Sequence, residues 1–140
     1  MLKILIPFSD PAGGVRAVRR LLTDRPSSPF EVELLAVVEP LTPGKVRIFL
    51  SPERAETLVR TADVRWLGDV EKLLATSQIA YRSQIMVGRR AQIVSSAIRR
   101  RDIDQVLLPA NGPHWFNTLF AKWREKRLSR ATARSITIVP

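Results

Sequence analysis

Apolar positions along this chain fall into two periods, and the periods alternate from one end to the other. Residues 2–7 form a continuous apolar run broken only by Lys3, the pattern of a strand covered on both faces. Ser9-Asp10-Pro11 then offers an N-cap followed by proline near a first helical turn, and Val15, Val18, Leu21 and Leu22 recur at helical spacing. That spacing predicts a helix ending near Thr23. Residues 30–39 alternate at first and become wholly apolar from Leu34 to Val38, a second strand that Pro40 ends. Residues 41–50, with Pro43 and Gly44, read as an irregular connection. Ser51-Pro52 opens the longest helix by the same cap-then-proline device, with Val59, Ala62, Trp66, Val70 and Leu73 as its stripe.

The second half repeats the alternation. Residues 81–87 predict a third strand, Gly88 a turn, and residues 91–101 a third helix with Ile93, Val94, Ala97 and Ile98 on its inner face. Residues 104–109 give strand four; Leu119, Phe120, Trp123 and Leu128 suggest a further helix, and residues 135–139 a last strand. No internal repeat or low-complexity tract interrupts the pattern. Strands alternating with helices call for βαβ units, hence an α/β fold with an open parallel sheet and helices on both faces. In such folds ligands bind beyond the carboxyl ends of the strands, where strand order reverses. Residues 7–10 and 109–113 are therefore the places to look for function.

At this point the chain resembles a known family. Ile6-Pro7-Phe8-Ser9 after strand one, Leu34-Leu35-Ala36-Val37-Val38-Glu39-Pro40 as strand two, and Gly88-Arg89-Arg90-Ala91-Gln92-Ile93 leading through a helix to Asp102-Ile103-Asp104-Gln105-Val106-Leu107-Leu108 together look like a universal stress protein domain. The resemblance covers nearly the whole chain. It implies a Rossmann-like, five-stranded parallel sheet in the order 3-2-1-4-5, a homodimer formed through the last strand, a role in stress response and, in one branch, ATP binding.

That branch carries a glycine loop after strand four, of the form G-x2-G-x9-G-[S/T]. Backbone N–H groups approach phosphate closely only where side chains do not intervene, which is why the loop is built of glycine. The matching positions here are Pro109, Gly112, Lys122 and Trp123, and only Gly112 fits. Proline offers no N–H, and tryptophan stands where a small hydroxyl residue would meet phosphate. The chain is therefore more similar to the branch that lacks the loop. At the other end of the pocket, Ser9 stands where the family has an Asp two residues after the strand-one proline, with Asp10 one place later. A hydroxyl still bonds a ribose hydroxyl, without the charge-assisted strength of a carboxylate. Pro7, Phe8 and Val37 are the candidates for an apolar adenine slot, although sheet-end packing asks for the same residue types.

Charge adds an asymmetry. The net charge is +10, and residues 81–140 carry 12 basic against 3 acidic side chains while residues 1–80 carry 11 against 10. A solvated face explains such an excess, and so does an anionic partner. Lys122, Arg124, Lys126, Arg127, Arg130 and Arg134 lie on and after the last predicted helix, whose other face carries Leu119, Phe120 and Trp123. Packing on the sheet accounts for that stripe; contact with nucleic acid or an anionic surface is the alternative. A narrower alternative has Lys122 binding an anion by its side chain where the glycines are lost. Arg99-Arg100-Arg101 sits at the end of the third predicted helix, where cations complement the dipole.

Composition removes several chemistries. Cysteine is absent, so there is no disulfide framework, thiolate metal site or cysteine nucleophile. His114 is the only histidine and has no second ligand for a metal. No G-x-S-x-G elbow or nucleophile–base set is assembled. The first apolar run is too short to span a membrane and lacks a signal-peptide pattern. The expectation is one 140-residue domain, residues 1–140, cytoplasmic, engaging an unidentified protein partner or small ligand without turnover. No cofactor is assigned; ATP is open, and with it the alternative of a nucleotide-binding switch or weak ATPase.

Overall fold

The computed structural model describes residues 1–38, 65–100, 102–109 and 135–139. The elements are β1 (Leu2–Phe8), α1 (Pro11–Thr23), β2 (Phe30–Val38), α2 (Arg65–Thr76), β3 (Tyr81–Val87), α3 (Arg90–Ile98), β4 (Gln105–Pro109) and β5 (Ser135–Val139). The strands form one sheet in the order β3-β2-β1-β4-β5, and every neighbouring pair is parallel. The order that the family resemblance implies is the order observed.

β1 lies at the centre, paired with β2 on one side and β4 on the other, so both of its faces must be apolar. Ile4, Ile6 and Phe8 turn to the face covered by α1 and α2, where Ala17, Val18, Leu21, Val70 and Leu74 are buried with them. Leu5 turns to the opposite face, with Leu35, Val37, Val106 and Leu108, under Ile93, Val94, Ala97 and Ile98 of α3. Each fully buried aliphatic side chain contributes about 1.5–3 kcal/mol relative to exposure. Among the described residues no polar or charged residue is fully buried.

α1 starts where the sequence places it. The Asp10 carboxylate accepts from the Gly13 N–H at 2.5 Å, and Pro11 occupies the first turn, where its missing N–H costs nothing. The helix must also come very close to β1. A Cβ at Gly14 would lie 2.7 Å from the Phe8 ring and 2.9 Å from Val70, so glycine is what allows the ring to seat beneath the helix.

β1 runs one residue further than the sequence reading, to Phe8, and two later elements differ from it because a distant partner intervenes. The third helix runs over Arg90–Ile98 instead of 91–101, with Arg99 as its C-cap and no basic residue in its last turn. Arg100 has left the helix for carboxylates: it reaches Glu33 at 2.5 Å and Asp102 at 2.8 Å. Its role is ion pairing across the sheet's amino end, not complementing the helix dipole. Strand four begins at Gln105 because Asp104 holds Lys3 from just outside it, its carboxylate accepting the Lys3 N–H at 2.9 Å while its own N–H donates to the Lys3 carbonyl. The predictions for residues 39–64 and 110–134, including the start of the long helix and the basic last helix, lie outside the described residues.

The amino end of the sheet is thus a charge network. Lys3 Nζ lies 3.0 Å from Asp102 and 3.8 Å from Glu31, joining Arg100, Glu33 and Asp102. The Arg100 guanidinium, with help from the Lys3 ammonium, holds the Asp102 carboxyl down at about 2. Hydrogen bonds to Glu33 first and Asp102 second raise the Arg100 pKa further above its ordinary value.

Candidate functional site

At the opposite, carboxyl end of the strands lies a small cleft, partly open to solvent. It opens beside the junction of β1 and β4, where strand order reverses, which is where ligands enter folds of this topology. Three segments meet there. Pro7, Phe8 and Ser9 come from the end of β1, Val37 from the end of β2, and Leu108 and Pro109 from the end of β4. The fourth wall is the first turns of α3, through Arg90 and Val94.

The turn between β3 and α3 explains why a helix starts at this point. Gly88 has φ 152°, a backbone conformation that L side chains rarely adopt, and its N–H donates to the Val38 carbonyl at 3.0 Å. The turn is thereby tied to the end of β2, and α3 begins two residues later over Val37. Ile93 packs just below, 3.2 Å from where a Gly88 Cβ would stand.

Four of the residues singled out in the sequence are therefore brought together: Pro7, Phe8, Ser9 and Val37. Phe8 borders the cleft, but its ring is buried on the other face, against α1 and α2. Asp10 is occupied as the N-cap of α1. Gly112 and Lys122 lie outside the described residues. Arg90, Val94 and Leu108 were not picked out as site residues. The alternation of β4 places Leu108 with Val106 on the α3 face, so Leu108 and Val94 were within reach of a parity argument. Nothing local marks Arg90.

Arg90 stands at the first position of α3, preceded by Arg89 at the N-cap, which makes no side-chain cap hydrogen bond. The first turn carries no acidic residue. Among the described residues, the rest of the lining is uncharged, with the Ser9 hydroxyl as its other polar side chain, and no carboxylate or histidine is among them. Among the described residues no group of three or more His, Cys, Asp or Glu could hold a metal ion, and no helix is long and apolar enough to cross a membrane.

No protein-family model matches the sequence, and no curated protein is similar to it. Solved structures do match. The hypothetical protein PH0823 superposes with a TM-score of 0.60 at 21% identity, over 99% of this chain and 94% of that one. A universal stress protein family member from Burkholderia pseudomallei gives a TM-score of 0.58 at 14% identity, over 99% of this chain and 95% of its own. A universal stress protein family protein from Arabidopsis thaliana, solved with AMP bound, gives 0.56 at 14% identity, over 99% and 91%. Together with the sheet order and the position of the cleft, these likenesses define the class of fold: the chain has the α/β, Rossmann-like fold of universal stress proteins.

Proposed function

We propose that this chain is a universal-stress-protein-type binding module that dimerises through β5 and holds a small ligand, such as an adenine nucleotide, loosely and without turnover. The observation that carries the reading is the cleft itself. Pro7, Ser9 and Val37 converge at the sheet's switch point with apolar side chains around them, and among the described residues no acid–base pair lines the space. The AMP bound in the Arabidopsis structure supports an adenine nucleotide as the ligand class. The sequence after β4 argues against a tight grip on a polyphosphate, because Pro109, Lys122 and Trp123 replace three of the four small residues of the phosphate loop.

A thermal-shift titration with AMP, ADP and ATP in the presence of magnesium tests this. The expected outcome is a saturable rise in melting temperature of similar midpoint for all three, since added phosphates find no backbone cradle. A midpoint falling steeply from AMP to ATP would mean that a phosphate site exists and would favour a nucleotide-driven switch. No rise with any nucleotide would remove the nucleotide. Light scattering on the same sample should give a dimer at micromolar concentration; a monomer would remove β5 as an interface.

A further inference from the structure

We propose that the free edge of β3 receives an extended, acidic segment of a partner protein, which joins the sheet as an additional strand and sets a carboxylate against Arg82. The inference is independent of the cleft and concerns the edge of the sheet opposite β5.

Hydrogen bonding shows which backbone groups that edge offers. β3 has β2 on one side and, among the described residues, no strand on the other. The Val32 N–H donates to the Ala80 carbonyl and the Gly88 N–H to the Val38 carbonyl, and the register between these bonds runs without a bulge. In a parallel ladder alternate residues bond the neighbouring strand, so Arg82, Gln84 and Met86 bond β2 while Ser83 and Ile85 direct their N–H and carbonyl groups away from it. Among the described residues those outward groups meet no backbone partner. Edge strands are ordinarily kept short, bulged or interrupted by proline. β3 is seven residues long, regular, and free of proline and glycine.

The side chains define the strand that fits. Arg82, Gln84 and Met86 share the α3 face with Leu35 and Val37, the β2 register partners of the last two, and α3 leaves all three exposed, Met86 at 39%. Arg82 lies opposite Glu33 in register, yet Glu33 pairs with Arg100, and Arg82 has no ion pair among the described residues. A strand that bonds Ser83 and Ile85 therefore lays its side chains beside a cation and, about 13 Å further along, beside the Met86 thioether. The matching segment carries a carboxylate and an apolar side chain at that same spacing. A second copy fits poorly, because β3 has no acidic residue to offer and each chain brings a net charge of +10.

Calorimetric titration of the full chain with the capped peptide Thr-Glu-Thr-Val-Thr-Leu-Thr tests this. Two control peptides accompany it: one with lysine in place of glutamate, and one N-methylated at its three central residues so that neither of its edges can pair. The first peptide should bind saturably. The lysine version should bind about fivefold more weakly, and N-methylation should abolish binding by removing the ladder's donors. Arg82→Gln should remove the preference for glutamate over lysine, and Arg82→Lys should keep it. Ser83→Pro takes an outward N–H from the edge at a position where proline is tolerated, so it should weaken the peptide with the melting temperature little changed. The N-methylated peptide tests backbone pairing on the unaltered chain.

No saturable binding of the first peptide, binding that survives N-methylation, or a glutamate preference that survives Arg82→Gln overturns the proposal. So does a wild-type oligomer that Ser83→Pro takes apart, since the occupant of this edge is then a second copy.

Discussion

The two ends of the sheet treat charge in opposite ways. At the amino end, Lys3 and Arg100 face Glu31, Glu33 and Asp102 within ion-pair distance, and Asp104 ties the Lys3 backbone into the same cluster. Cations there are answered by carboxylates. At the carboxyl end, Arg90 is the charged side chain among the described residues lining the cleft, and it stands on the first turn of α3. The first arrangement serves the fold, because its partners are all within the chain. The second places a cation at a strand-end cleft where, among the described residues, no carboxylate joins the lining.

Breaking the amino-end cluster should have the largest effect. Arg100→Ala removes the guanidinium that pairs with Glu33, whose side chain is only 13% exposed, and should lower stability by about 1–3 kcal/mol. For a chain of this size that is a fall of several degrees in melting temperature. Adding Glu33→Leu should recover most of the loss, since removing both partners leaves nothing unsatisfied. A single variant as stable as wild type would show that the cluster is surface decoration.

Acid probes the same cluster more gently. The Asp102 carboxyl sits at about 2 in the folded chain against an ordinary value of 3.8, so the unfolded chain takes up its proton first as pH falls. Its stabilising contribution is complete above about pH 4 and is lost as pH drops toward about 2. Because the side chain is half-exposed, the contribution is modest. In urea titrations, Asp102→Asn should flatten the pH dependence within that window and leave it unchanged above.

The smallest effect is expected at the other end, and its sign sharpens the contrast. Arg90→Gln removes a cation from the positive end of α3 and should leave stability unchanged or raise it by up to about 1 kcal/mol. Marked destabilisation would place Arg90 with the amino-end residues, as part of the architecture.

The same contrast explains what could be read from the sequence. β1, β2 and the start of α1 were legible because their signals are local: an apolar run, an alternation, and Asp10-Pro11 at a helix start. That Pro7, Ser9 and Val37 meet at one cleft was legible because they end strands beside the switch point. The facing of Phe8 was also within reach, since it shares its parity with Ile4 and Ile6. Arg100 was not legible: its partner Glu33 lies 67 residues away, and only the folded sheet brings them together. Arg90 escaped for a related reason, because its meaning depends on α3 starting over the end of β2.

The position of β1 has a consequence for how the molecule is made. Its partner β2 follows after one short helix, so that ladder can close soon after both strands exist. Its other partner, β4, meets it through Ile4 opposite Gln105, at a sequence distance of about a hundred residues. Closing so long a loop is slow even where the final contact is strong. As the chain emerges from the ribosome, one edge of the central strand therefore stays open until most of the protein has been synthesised, and that nascent edge is where a chaperone, or another unfinished copy, has its opportunity.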